Sequence, residues 1–500
     1  MSAALTVDIV RSKAQTLDVR RQAFIDGKYV DAASGKTFDC VNPATGGTIA
    51  KVAACEAEDV DHAVKAARKA FESGVWSDLH PARRKSVLLR FADKIREHLD
   101  ELALLETLDM GKPISDSRAI DIPGAAKCIQ WYAEAVDKLY DEVAPTDPSA
   151  LALVTKEPLG VVAAVVPWNF PLLMAMWKVG PALAAGNAMV LKPAEQSPLT
   201  AIRVAELAVE AGLPAGVLNV VPGFGETAGQ ALGRHMDVDC VTFTGSHEVG
   251  KLFLRYAGES NMKRVSCECG GKTPQIIMAD APDLDAAAKA AAMGIFFNQG
   301  EVCNAGSRLL VDAKVKDRVV EKIMEIGKKM QPGDPLDPKT RMGAIVDKTQ
   351  LDRVMGYIGI GREEGAEVVF GGQRVREETG GYFVGPTVFD AVRPTMRIAQ
   401  EEIFGPVLSV ITFTDEDDAI AIGNGTIYGL AAAIWTRDIT KAHRAARRLR
   451  AGTVWVNCFD HGDITVPFGG YKQSGFGRDK SLHAIEKYQQ LKTTWINLAT

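Results

Sequence analysis

The stretch Leu159-Gly-Val-Val-Ala-Ala-Val-Val-Pro-Trp-Asn-Phe-Pro171 sets the fold class. Residues 159–166 are apolar and rich in β-branched side chains, without the alternation of a half-solvated strand, and Pro167 stops the run. Such a segment predicts a strand buried on both faces. The pattern then repeats. A helix is expected over 172–185 and a strand over 187–191, ended by Pro193. Ser197 and Pro198 read as an N-cap and a first helical position. Leu199, Ile202, Ala205 and Val209 form the buried stripe of that helix, and Gly212 ends it. Further strands are expected at 217–221, 240–244 and 265–269. Five strands joined by helical crossovers predict a parallel sheet covered on both faces.

A second alternating block follows. Strands are expected at 275–278, 307–311, 367–370, 382–389, 406–413, 429–435 and 452–457, with an Ala-rich helix capped by Asp283 and another helix over 314–330. Residues 141–159 and 491–498 are strand-like but fall outside both blocks. They could pair with each other or with another subunit.

The 500 residues suit two to four domains, and a hydrophobic fraction of 47% is enough to bury a core. The 58 Lys and Arg against 63 Asp and Glu leave a net charge of −5, with no basic excess for a nucleic acid backbone. No apolar run approaches the roughly 18 residues of a membrane span. The first 21 residues hold no continuous apolar core, so no secretory signal is expected. The eight cysteines show no C-x-x-C pair or zinc spacing, so no metal is expected and the thiols suit a reducing cytoplasm.

Two glycine-rich turns follow expected strands: Gly223-Phe-Gly225 with Gly229, and Gly245-Ser246 with Gly250. Each alone reads equally as a tight connection. Within one parallel block they mark the strand ends where ligands bind, next to helix N-termini that favour phosphate. Lys192 and Glu195, just past the second strand, stand where such folds meet an adenosine ribose. A carboxylate there accepts from ribose hydroxyls and repels a 2′-phosphate. Cys303 lies in a polar loop, Asn298-Gln-Gly-Glu-Val-Cys-Asn-Ala-Gly306, where a thiolate could be reached. Glu268 sits at a strand end, with its nearest basic residues, Arg264 and Lys272, four positions away. Partial burial there would raise its pKa and suit a general base.

These residues fall in motifs that resemble the aldehyde dehydrogenase superfamily over nearly the whole chain. The matching stretches are Pro167-Trp-Asn-Phe-Pro171, Leu191-Lys-Pro-Ala-Glu195, Phe243-Thr-Gly-Ser246, Glu268-Cys-Gly-Gly-Lys-Thr-Pro274, Gly300-Glu-Val-Cys303, Glu401-Glu-Ile-Phe-Gly-Pro406 and Pro467-Phe-Gly-Gly-Tyr-Lys472. The resemblance implies an α/β fold in three parts. These are a Rossmann-type NAD-binding domain over 20–140 and 160–272, an α/β catalytic domain over 273–484, and a small β oligomerisation flap from 141–159 and 485–500. It implies Cys303 as nucleophile, Glu268 as base, Asn169 with the Cys303 backbone N–H as oxyanion hole, and Lys178 near that site. Trp168, Lys192, Glu195, Gly225, Gly245, Ser246, Gly250, Glu402 and Phe404 are implied around NAD.

The aldehyde tunnel is implied to be lined by Asp121, Phe170, Trp177, Asp460, Asp463 and Phe468. Acidic groups at its mouth would favour a cationic or donor-rich tail, although Asp460 and Asp463 could instead cap turns. The loop before Pro467 and the ending Gly477-Arg-Asp-Lys-Ser-Leu-His483 resemble the subgroup acting on γ-glutamylaminobutyraldehyde, aminobutyraldehyde and guanidinobutyraldehyde. A small-molecule aldehyde partner, a role in polyamine catabolism and a homodimer or homotetramer follow from that likeness. A coenzyme A-acylating enzyme and a catalytically silent relative are the alternatives. Glu268 argues against the first, and the retained Cys303 and Asn169 against the second. Cys267 and Cys269 stand where the family usually has aliphatics, and His247 where it usually has a small hydroxyl residue.

Overall fold

The computed structural model describes residues 6–499. Five central strands, Leu218–Val220, Ala188–Lys192, Val161–Val165, Cys240–Gly245 and Arg264–Cys269, pair in that order and all in parallel. Their interiors are almost wholly buried, which is why they read as continuous apolar runs. Strand Ala23–Ile25 borders one side antiparallel, followed by Lys28–Val30. The other edge is closed by Gly475–Phe476, antiparallel to Arg264–Cys269. This short strand comes from the stretch expected to be wholly catalytic. The order reverses on either side of Val161–Val165, and a crevice opens at such a point beyond the strands' C-terminal ends.

The second sheet runs Glu367–Phe370, Thr387–Asp390, Val407–Phe413, Arg308–Asp312, Pro274–Ile277, Ala431–Trp435 and Thr453–Val456, parallel except at Glu367–Phe370. The strand expected over 382–389 is two. Phe383–Val384 pairs with Arg374–Val375, whereas Thr387–Asp390 joins the large sheet, because Gly385-Pro386 breaks the run. The two outlying segments pair with each other, Gln489–Asn497 lying antiparallel to Ala150–Pro158 over nine residues. Among the described residues no helix is long and apolar enough to cross a membrane.

Helix Leu199–Glu210 starts differently from expectation. Pro198 is its N-cap and Ser197 does not cap it. Ser197 Oγ donates instead to the Trp168 carbonyl (3.2 Å), and the Leu199 amide is satisfied by Asp109 Oδ2 at 3.0 Å. A carboxylate from a distant helix thus replaces the local cap, and Ser197 is left to fix the loop that carries Trp168 and Asn169.

Candidate active site

A cavity of about 350 Å³ opens at the C-terminal ends of the first sheet, between it and the second sheet's loops. Its lining brings together Trp168, Asn169, Gly245, Ser246, Cys303, Glu402 and Phe404, all expected at the site from the sequence. Ser246 caps helix His247–Gly258, its Oγ accepting from the Val249 amide (3.3 Å), so the positive end of a three-turn helix borders the cavity. Thr244 Oγ1 is buried there without a partner among the described residues. A Cβ on Gly270 would lie 2.1 Å from the Glu402 carboxylate, so glycine there lets Glu402 take this position. Glu402 accepts from the Gly271 amide at 2.9 Å, and burial lifts its carboxyl to about 7. Phe404, at φ +60°, packs edge-on against Trp168 with ring centroids 5.2 Å apart. Gln350 and Arg353, which sequence reasoning missed, hold that loop. Gln350 Nε2 donates to the Phe404 carbonyl (2.7 Å) and Arg353 to that of Glu402 (2.6 Å). Cavity, helix terminus and orphaned hydroxyl suit a dinucleotide.

Lys192 and Glu195 lie outside that lining. The Lys192 ammonium is buried, donates to the Pro193 carbonyl (2.8 Å) and stands 3.4 Å from Glu195, which is partly exposed. Gly229 backs onto the Lys192 stem at 3.7 Å, and a Cβ at Gly225 would meet nothing within 4 Å. Gly250 packs under Cys267 and Cys269, whose sulfurs lie 3.5 and 3.2 Å from its Cβ position. Both thiols are buried and raised by that burial, so they act as small apolar side chains. His247 packs edge-on against Tyr428, ring centroids 5.5 Å apart, and both line the cavity.

The loop that carries Cys303 is held under strain. Asn298, Gln299 and Gly300 are successively left-handed (φ +48°, +58° and +73°). A Cβ on Gly300 would sit 2.2 Å from the Gly405 carbonyl, so only glycine fits. Three anchors keep the shape. Gln299 Oε1 accepts from the Gly343 amide (2.8 Å) and Glu301 Oε1 from that of Val346 (3.1 Å), while Asn298 Nδ2 donates to the Asn169 carbonyl (3.1 Å). Cys303 then sits in a turn closed by the Ala305 amide on the Val302 carbonyl (3.0 Å). Burial pushes its thiol far up, and Glu402, Asp460 and Glu268 push it further. One hydrogen of Asn169 Nδ2 is spent on the Glu301 carbonyl (2.8 Å). That bond fixes the amide, and the second hydrogen remains for another acceptor.

Glu268 is 3% exposed, and neither carboxylate oxygen has a partner among the described residues. Burial holds its pKa well above the usual carboxylate range, and Asp479 adds to this. Lys178 and Lys487 pull the other way, from different elements, so counting charges along the strand misses the cations that matter. Lys178 is itself fully buried and ion-paired to Asp479, which also binds Lys487. The charge of Lys178 lowers the Glu268 pKa against the effect of burial.

The expected acidic tunnel mouth is only partly present. Asp121 is 1% exposed and tied to Lys112 at 2.7 Å, with Glu106 3.6 Å from the same ammonium. Lys112 in turn stands 4.0 Å over the Phe170 ring. Asp463 pairs with Lys127 (2.9 Å) and accepts from the Thr465 amide (3.0 Å), which holds its pKa to about 2 and makes it a turn cap. Only Asp460 remains close to the Cys303 loop, accepting from Asn304 Nδ2 at 2.7 Å. Its backbone is left-handed (φ +55°), and although its surface is open, surrounding protein raises its carboxyl. Phe170, Met174 and Trp177 share one face of helix Pro171–Ala184 and its N-cap by their 4- and 3-residue spacing. Trp177 meets Phe468 at 5.4 Å.

Residues 29–494 match the aldehyde dehydrogenase family. The chain belongs to that family. It is an enzyme that oxidises aldehydes with NAD as its cofactor. It is 54% identical to the NADP/NAD-dependent aldehyde dehydrogenase PuuC of Escherichia coli (strain K12) over 488 residues, 98% of each chain. A solved indole-3-acetaldehyde dehydrogenase, P. syringae AldA in complex with NAD+ and IAA, is 60% identical. It superposes at a TM-score of 0.98 over 99% of this chain and 100% of its own. The γ-glutamyl-γ-aminobutyraldehyde dehydrogenase of Burkholderia cenocepacia J2315 is 61% identical, with a TM-score of 0.97 and the same coverage.

Proposed function

We propose that Cys303 carries the acyl group and Glu268 releases it as a carboxylic acid by hydrolysis. The observation that supports this best is Glu268 itself, a buried carboxylate with both oxygens unpartnered, whose charge is felt by the thiol of Cys303. A thiol raised this far is protonated at neutral pH, and its proton passes to solvent as the sulfur attacks, which leaves Glu268 free for the later step. The sulfur then bonds to the aldehyde carbon, and the carbonyl oxygen becomes an oxyanion. The second Asn169 hydrogen and the Cys303 amide stabilise that charge. NAD, when bound, is the two-electron acceptor for the hydride that leaves this carbon. A thioester remains on Cys303. Glu268 takes a proton from water, the new C–O bond displaces the sulfur, and the acid departs. Lys178, held by Asp479, pulls the Glu268 pKa down against its burial and so favours the carboxylate that takes the proton. The test is product identity: NADH and free acid should form without coenzyme A, and a strict need for coenzyme A would refute the reading.

Glu195 is read as the ribose carboxylate. Substituting Glu195→Ser should lower kcat/KM for NAD and raise it for NADP, narrowing the preference by about tenfold or more. Equal wild-type efficiency with both cofactors would remove Glu195 from that role.

The substrate is read as an aldehyde with a nitrogen-bearing tail, ω-amino-, γ-glutamylamino- or guanidino-alkyl, with Asp460 as the remaining acidic contact. Such aldehydes should show kcat/KM about tenfold or more above a neutral aldehyde of equal length. Asp460→Asn should shrink that gap mainly through KM, because the tail contact is made equally in ground and transition states. A wild-type enzyme favouring the neutral chain would refute this. The same reading places the enzyme in the cytoplasm and in polyamine catabolism. It also makes the enzyme a homodimer or homotetramer. Strand Gln489–Asn497 forms a sheet edge that leaves Leu491 and Trp495 mostly exposed, a surface suited to burial against another subunit.

A further inference from the structure

The mouth that was expected to be acidic also holds a cation. Lys480 follows Asp479, which is fixed to Phe468 by paired backbone hydrogen bonds of 2.7 Å in each direction. Lys480 and Ser481 are both left-handed (φ +62° and +51°), a costly conformation for two consecutive residues with side chains. The backbone thereby carries the Lys480 ammonium over the Trp177 and Phe468 rings, 5.6 and 6.0 Å from their centroids. Those distances lie at the outer limit of cation–π attraction, so the rings hold it weakly. On the opposite side Gly462 leaves room for it, since a Cβ there would come within 3.3 Å of Nζ.

This ammonium has no hydrogen bond or ion pair among the described residues, although carboxylates are close. Asp463 is committed to Lys127, and one oxygen of Asp460, Oδ1, to Asn304, which leaves its Oδ2. Partial burial lowers its pKa, and Asp463 and Asp460 only partly offset this. A lysine that is half-buried, weakly held and unpaired still lacks an anion. The loop that makes room for it at Gly462 also brings Asp460 against Asn304, the neighbour of Cys303, so Lys480 and Cys303 are linked through this one loop.

The geometry points to Lys480 as a specificity-determining residue that pairs with a carboxylate at the far end of the aldehyde substrate. Asp460 then takes the accompanying amino group. A tail bearing both charges, as an amino acid head does, satisfies both residues. A purely cationic tail satisfies Asp460 but is repelled by Lys480. This rests on the nitrogen-bearing tail proposed above and selects the γ-glutamylamino member, which carries a carboxylate.

The test compares kcat/KM for γ-glutamylaminobutyraldehyde, aminobutyraldehyde and a neutral aldehyde of matched length, in wild type, Lys480→Met and Lys480→Arg. Ratios between substrates within one preparation cancel any loss of folded enzyme. In wild type the carboxylate-bearing tail should lead aminobutyraldehyde by about 10- to 100-fold. Lys480→Met should erase most of that ratio by raising KM for the carboxylate substrate, and Lys480→Arg should keep it. If Lys480→Met leaves the ratio intact, or changes it only by improving aminobutyraldehyde, Lys480 is no carboxylate anchor. A wild type that prefers the neutral aldehyde to both nitrogen-bearing tails would instead overturn the underlying substrate class, whatever the variants do.

Discussion

Cys303→Ala should abolish dehydrogenase turnover, by about 10⁴-fold or more, while NAD binding stays nearly intact. The loss follows from chemistry, because without sulfur no bond to the aldehyde carbon can form and no tetrahedral carbon is available to release hydride. Binding should survive because the groups proposed to meet the cofactor lie on other elements: Ser246 at a helix N-terminus, Glu402 on the Gly271 amide, and Phe404 against Trp168. The strained turn does not depend on the sulfur either, since Gln299, Glu301 and Asn298 anchor it. Steady-state NADH formation and NAD titration of the purified variant check both halves. Appreciable turnover would transfer the nucleophile's role elsewhere, Cys458 being the other half-buried cysteine.

Glu268→Gln should separate the two halves of the reaction. Acylation and hydride release persist, and thioester hydrolysis slows by about 10²–10⁴-fold. The trace should show a burst of up to one equivalent of NADH per active site, then slow turnover. The sign of the pH dependence follows from the raised pKa of Glu268. A carboxylate held above its ordinary value is protonated over a wider acid range, and its action as a base is lost as pH falls through that raised value. Wild-type turnover should therefore rise with pH through a range above that of an ordinary carboxylate, and the burst should be most visible at the acid end. Glu268→Gln should lose the part of this rise that belongs to hydrolysis. Steady-state turnover near wild type would make Glu268 structural.

The sequence showed the first sheet clearly because strands such as Val161–Val165 and Ala188–Lys192 are buried on both faces and ended by proline. It also pointed to candidate site residues, since Asn169, Ser246 and Glu268 lie at or just past the C-terminal ends of those strands. What it hid were pairings across the chain. Lys178 meets Asp479 from 301 positions away, Asp109 caps a helix 90 positions on, and Asn304 reaches Asp460 over 156. No local spacing encodes these. The carboxylates of the tail loop looked alike in the sequence because their partners, Lys127 for Asp463 and Asn304 for Asp460, lie on other elements. Strand Gly475–Phe476 has only two residues, too few for any periodicity to appear.

The most direct test of the account is the mass of the acyl-enzyme. Glu268→Gln, mixed with NAD and a nitrogen-tailed aldehyde and quenched in acid as the burst ends, should gain one acyl group per subunit, and digestion should locate it on the peptide that contains Cys303. An unmodified Cys303 peptide despite a full NADH burst, or an acyl group on Cys458 instead, would contradict it.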